Sequence, residues 1–425
     1  ESYLSSLFKI IYDVLMKSVF LLISLLLSSL TFGHGAVYST NDDDDFGREI
    51  IFPNIEGGVT IVSDLHTHSV FSDGHVWPNI RVEEAVRDGL DVIAITEHLE
   101  YQPHIEDIPH PDRNKSYYEA KEAAKNEDII VINGSEITRQ FPPGHINAIF
   151  INDANKLLNI DYGRLEEAND YIETLSEDIQ RDYSNKPWFK EAILANLWSP
   201  IEALEEAKNQ GAFTFWNHPS WTKESRDSLN RLSDMHQEMI AKDLLDGIEI
   251  VNGNYYSEEA FEVAIENNLT LIGTSDIHDL IDWDYPPSQN KHRPVTLILA
   301  KERTKASIKE ALLSDKTVVW WKNTLIAKPK NMSSLLDASI VIADTEFLSQ
   351  KSILKITIKN KSDAGFNLQN LDTHTFEDAE NIIYLPPLSE ITIGINDYKE
   401  GKDYYLKLKV LNALIAPRVN PVIIL

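Results

Sequence analysis

The chain has 425 residues, 43% of them hydrophobic, enough for one large α/β domain with an appendage or for two domains. Its 39 basic and 67 acidic residues leave a formal charge of −28, which repels nucleic-acid backbones and disfavours a long polynucleotide as partner. It contains no cysteine, which excludes disulfides, thiolate metal sites and cysteine nucleophiles.

The chain opens on residues 1–15, an expected upstream extension, because Met16 and Lys17 precede the apolar run SVFLLISLLLSSLTF and the small residues of GHGAVYS. A basic residue, an apolar stretch shorter than ~18 residues and small residues describe a secretory signal rather than a membrane span. Residues 1–35 are therefore expected to direct export to the periplasm or beyond, with no membrane span after cleavage. His34 falls at that junction and is expected to be inert. Residues 36–57 read as a linker; NDDDDF at 41–46 lacks the alternation and glycine of a calcium loop, so it reads as solvated chain.

From Gly58 onward short apolar runs alternate with amphipathic stretches. The runs are VTIV, DVIAIT, DIIVIN, HINAIFI, AFTFW, DGIEIV, LTLIGT and PVTLILA, and segments such as NIRVEEAVRDGL and PIEALEEAKNQG lie between several of them. Near-continuous apolar strands separated by helices predict a parallel sheet covered on both faces, and seven or eight such units fit a closed, distorted α/β barrel over residues 58–328. In such barrels the chemistry sits at the carboxyl ends of the strands. Beyond Lys330 the pattern changes to period two in SILKITIKN, SEITIGIND and YYLKLKV, which predicts a small β-sandwich over residues 335–425. His374 falls there, away from any partner.

The residues that follow the apolar runs are not those of ordinary loops. The first run is followed by His66, His68 and Asp73, the second by Glu97 and His98, and the third by Glu136. His145 precedes the fourth run, His218 follows the fifth, and Asp276 and His278 follow the seventh. A lone H-x-H is more often two polar residues at a strand end. Ten imidazoles and carboxylates at the ends of six strands point instead to a metal centre.

These motifs, HTHSVFSDG, TEH, GSEIT, GH, NHP and SDIH, in this order over residues 58–300, resemble those of the PHP (polymerase and histidinol phosphatase) phosphoesterases. The resemblance implies a distorted (β/α)7 barrel with two or three divalent metal ions. Carried over by motif, it implies that His66, His68, Glu136 and Asp276 hold the first. Glu136 would bridge to a second completed by His145 and His218, and Asp73, His98 and His278 would hold a third. TEH stands where many members have TDH, and Asp73 where others have histidine. The mixed N/O ligand set suits Mn, Zn or Fe alike. Such ions lower the pKa of a bridging water from 15.7 to roughly 7 and so create a hydroxide nucleophile.

The closest resemblance is to an exported branch acting on small organophosphate diesters, so a small phosphate ester is the expected partner. A phosphomonoesterase of the histidinol-phosphatase type and a non-catalytic binding module are the alternatives; the oligomeric state is open. Among other residues, Arg139 is a candidate for a non-bridging phosphate oxygen. His75 is a possible proton donor, although an exposed or supporting role fits it better. Arg113, Lys115, His104 and His110 lie in a long loop with an ordinary polar role favoured. Trp216, Trp221 and Trp283 could wall an ester pocket, with core packing the default. His236, in a helical stretch, reads as inert, and His292 as no ligand.

Overall fold

The computed structural model describes residues 49–425 apart from 110, 184–185, 222–230, 287, 288, 290, 400 and 402. The expected signal region, the acidic run at 41–46, His34 and His110 lie outside the described residues.

Eleven short strands precede the sandwich: β1 (Val59–Asp64), β2 (Val92–Ile95), β3 (Ile130–Ile137), β4 (Ile146–Ile149), β5 (Phe213–Trp216), β6 (Gly247–Asn252), β7 (Tyr255–Tyr256), β8 (Thr270–Thr274), β9 (Val295–Ala300), β10 (Thr317–Trp321) and β11 (Thr324–Ile326). They form one curled sheet in the order β11-β10-β9-β1-β2-β3-β4-β5-β6-β7, with β8 paired to β6. The expected α/β architecture is present, but the sheet is mixed rather than parallel. β1, β2 and β3 run parallel, as do β5, β6 and β8, whereas β4 is antiparallel to both β3 and β5, and β9 to β1. The cause for β4 is length: only the segment from Thr138 to His145 joins it to β3, too short for a parallel crossover.

The sheet curls until β8 reaches β9 and β10, and side chains make the join. Thr296 Oγ1 accepts from Gly273 N (2.9 Å) and donates to Gly273 O (2.8 Å), and Thr317 Oγ1 donates to Leu271 O (2.8 Å). Gly273 is required there, since a Cβ would stand 2.3 Å from Val319 Cγ1. Helices cover the outside. Pro78–Arg87, with proline in its first turn, buries Val82 and Ala85, and Glu258–Glu266, capped by Ser257 Oγ on Ala260 N (3.1 Å), buries Phe261 and Ala264.

Residues 329–339 form a last helix, and the sandwich strands begin at Ile340. β12 (Ile340–Leu348), β13 (Ile353–Asn360) and β16 (Glu390–Ile395) make one antiparallel layer. The other holds β14 (Phe366–Asn370), β15 (Ile382–Leu385), β17 (Lys407–Val410) and β19 (Val422–Ile424). β18 (Ala413–Leu414) leaves the sandwich and adds to the large sheet parallel to β11. One apolar core runs through both parts, from Val295 and Trp320 to Phe366 and Ile393, so the sandwich is packed onto the barrel rather than tethered to it. Among the described residues no helix is long and apolar enough to cross a membrane.

Candidate metal centre

The carboxyl end of β1 delivers His66 and His68, both fully buried. Their Nε2 atoms lie 3.0 Å apart, and each lies 3.1 Å from Asp276 Oδ1, which follows β8. Glu136 Oε2, from the end of β3, stands 3.6 Å from His66 Nε2 and 3.4 Å from His68 Nε2. The other oxygen of Glu136 meets His145 Nδ1 at 3.0 Å and His218 Nε2 at 3.3 Å. Asp73 Oδ1 gathers His278 Nε2 (3.1 Å) and His98 Nε2 (3.5 Å). Ligand atoms about 2.0–2.2 Å from one ion stand roughly 3.0–3.5 Å apart, and the three groups have those spacings.

The donor set fits divalent ions on a second count. Asp73 Oδ1, Glu136 Oε2 and Asp276 Oδ1 are buried without a hydrogen-bond donor, and each points into the histidines. An unsatisfied buried carboxylate oxygen is costly, and a cation is its natural partner. The two facing imidazole nitrogens, too, cannot both carry a proton. Titration reflects this. Burial, with His278 and His98 beside it, pushes His68 down to about 3. Burial opposes protonation of His66, but Asp276, Glu249 and Glu136 together raise it well above the ordinary range.

Local structure supports these positions. Gly74 lets the chain fold back after Asp73, since a Cβ there would stand 2.8 Å from Ser69 N. Asp276 (φ 51°) and His218 (φ 26°) adopt left-handed backbone that only surrounding contacts sustain. Ser275 Oγ donates to Asp64 Oδ2 (2.6 Å), and Arg293 Nη1 braces the same oxygen at 3.3 Å. Arg81 Nε donates to His68 O (2.7 Å).

Sequence reasoning singled out Glu97 beside His98, but its carboxylate binds Ser69 N (3.0 Å) and Ser72 Oγ (2.5 Å), bracing the loop that carries Asp73. It missed Glu249, the buried carboxylate of DGIEIV, whose Oε1 lies 2.8 Å from His66 Nδ1. A lone charge inside an apolar strand was the available signal. Asn252 was missed as well; its Nδ2 donates to Glu249 Oε2 (2.9 Å) and Asp276 Oδ2 (3.1 Å).

Arg139 is buried; its Nη1 is paired with the Glu100 carboxylate and donates to Thr138 O, while its Nε and Nη2 have no hydrogen-bond partner among the described residues. His75 is exposed and binds Asp279 (2.5 Å). His236 has a packing role. Fully buried, it stacks on Trp216 at 3.9 Å and donates from Nε2 to Pro143 O (2.7 Å), anchoring the turn that leads to His145. Trp216 is core; Trp221 packs edge-on to His145 and His218, and Trp283 is exposed. His292 stacks on Trp320 at 3.4 Å, and His374 pairs with Asp372 (3.0 Å).

A cavity of about 930 Å³ opens over the cluster and includes Asp73, His98, His145, His218, Asp276 and His278 in its wall. A second chamber of about 610 Å³ shares Thr138, His145 and Trp221 with it and has Arg139 in its own wall.

Residues 64–243 match the PHP domain family and residues 340–425 an Ig-like domain family. A two-domain protein of Bacteroides vulgatus, described as containing a predicted PHP-like metal-dependent phosphoesterase, is 34% identical; the similarity covers 89% of this chain and 98% of that one, with a TM-score of 0.73. An uncharacterized protein of Methanocaldococcus jannaschii is 34% identical over 125 residues, 27% of this chain and 54% of that protein, so the match spans about half of its length. Fold, motif order and these relatives agree: the chain belongs to the PHP family of metal-dependent phosphoesterases.

Proposed function

We propose that the protein hydrolyses small phosphate diesters. The observation that carries this reading is the pair of chambers, about 930 and 610 Å³, meeting at Thr138, His145 and Trp221 beside the histidine–carboxylate cluster. A diester bound at the cluster has two organic groups to place, and the larger chamber over the cluster adjoins a second one at His145. Divalent ions, held by His66, His68 and Asp276, by Glu136, His145 and His218, and by Asp73, His98 and His278, would supply Lewis acidity and activate water at neutral pH.

The chain's own residues do the rest. Glu249 holds the His66 ring with Nε2 turned towards the cluster, and His278 Nδ1 donates to Asp276 O (2.9 Å), which leaves the Nε2 lone pair for an ion that Asp73 would share. His66, His68 and Glu136 form a buried floor, and the aromatic side chains lining the cavity above it would orient the ester. Export is inferred from residues 16–35, where a basic residue, an apolar run and small residues follow one another.

The test compares hydrolysis of bis(p-nitrophenyl) phosphate and p-nitrophenyl phosphate by Mn-loaded protein, with an EDTA-treated control. Faster, chelator-sensitive cleavage of the diester is expected. Faster cleavage of the monoester would assign a phosphomonoesterase instead.

A further inference from the structure

The larger cavity has a chemical character that narrows the substrate beyond a phosphate ester. Both of its walls begin on cluster histidines. On one side His98 packs edge-on against Tyr101 (5.8 Å between ring centroids), Tyr101 against Trp188 (5.2 Å), and Trp188 against Tyr183 (5.8 Å). On the other, Trp221 packs against His218 (5.3 Å), and Tyr255 and Tyr256 continue the wall. Several of these rings are left uncovered: Tyr255 is 75% exposed, Tyr183 40% and Trp221 38%. Contiguous exposed aromatic surface around a cavity marks a place that something apolar covers.

Charge points the same way. Among the described residues of this cavity wall there is no lysine or arginine, and the charged group away from the cluster is Glu259. A phosphate already bound at the cluster occupies a small part of about 930 Å³. A second anionic group on the same substrate would sit among aromatic faces beside a carboxylate, with no lysine or arginine to pair with among the described residues of the wall. An uncharged ring, by contrast, can pack against those aromatic faces.

We propose that the protein selects phosphate esters whose organic group is an uncharged aromatic ring system, held against the aromatic side chains that line the cavity, among them Tyr101, Tyr183, Trp221 and Tyr255, and rejects esters bearing a second anion. This rests on the phosphoester reading above, and the two can fail separately.

The test is tryptophan-fluorescence titration of Mn-loaded protein with methylphosphonate, benzylphosphonate and 4-carboxybenzylphosphonate, a binding readout independent of turnover. Benzylphosphonate should bind roughly tenfold or more tighter than methylphosphonate, as burial of a phenyl ring requires. The added carboxylate should cancel most of that gain. Tyr183→Ala and Tyr255→Ala, at exposed positions, should shrink the benzyl preference, and Glu259→Gln should restore affinity for the carboxylated ligand alone. Equal, saturable binding of methyl- and benzylphosphonate would overturn the aromatic selection while leaving the phosphoester reading intact. No saturable binding of any phosphonate would overturn both.

Discussion

Glu249 Oε1 lies 2.8 Å from His66 Nδ1, with both side chains fully buried. The same carboxylate accepts from Thr274 Oγ1 (2.6 Å), Asn252 Nδ2 (2.9 Å) and the backbone N–H of His218 (2.7 Å). One residue from the middle of β6 therefore sets the tautomer of a histidine on β1 and the position of another after β5. A carboxylate behind a ligating imidazole also raises its basicity.

Glu249→Gln should consequently lower affinity for Mn about 10–100-fold without changing the far-ultraviolet circular dichroism. Competition against a chromophoric chelator measures it. Unchanged affinity would show that Glu249 has a packing role only.

Asp276 combines a left-handed backbone (φ 51°) with an oxygen at the centre of the cluster. Asparagine tolerates that backbone, whereas alanine pays roughly 1–2 kcal/mol for it. Asp276→Asn and Asp276→Ala should both abolish chelator-sensitive turnover and the rise in Tm on adding Mn, because each removes an anionic donor. In EDTA the alanine variant should be less stable than the asparagine variant by about 1 kcal/mol in urea unfolding. Equal stabilities would mean that the backbone at 276 relaxes freely.

His236 gives the fold a pH dependence distinct from that of the cluster. Burial pushes it down to about 4, although its bond to Pro143 O favours the charged form. Its unfolded pKa is near 6.5, so below that value the unfolded chain takes up a proton that the native protein refuses. Stability from this group is complete above pH 6.5, falls as pH drops towards 4 and levels off below. The loss amounts to about 3 kcal/mol at most. Urea midpoints of the wild type and His236→Gln in EDTA should therefore converge as pH falls from 7 to 4. Parallel curves would contradict this.

Much of this candidate site was legible because imidazoles and carboxylates are chemically incongruous at the ends of apolar runs. His66, His68, Glu136, Asp276 and their companions announce themselves by residue type and position. Glu249 did not, because it lies within β6 rather than after it and its role depends on which face of the strand turns inward. Strand direction was legible only in part. The absence of a helix between Glu136 and His145 foretells the reversal at β4, whereas the antiparallel β9 follows from closure of the sheet, a long-range property. Glu97 shows the limit of reading position alone: a carboxylate at a strand end beside His98 turned to Ser69 and Ser72. The period-two pattern after Lys330 announced the sandwich, but not that β18 would return to the barrel sheet.

Arg139 pairs with Glu100 in the interior and also lines the smaller chamber. Placed three residues past Glu136, it invites a role in phosphate binding, yet it lies buried against Glu100, whose own pKa burial raises despite Arg139 beside it. Removing one member of a buried ion pair strands the other, at a cost of about 3–5 kcal/mol, whereas replacing both with apolar groups of similar size is far milder. Arg139→Met should accordingly destabilise the protein strongly. The double variant Arg139→Met/Glu100→Leu should recover most of the loss and retain the wild-type KM for bis(p-nitrophenyl) phosphate. Urea midpoints and KM together decide. A folded double variant with a KM raised tenfold or more would return Arg139 to the substrate, acting through the smaller chamber whose wall it forms.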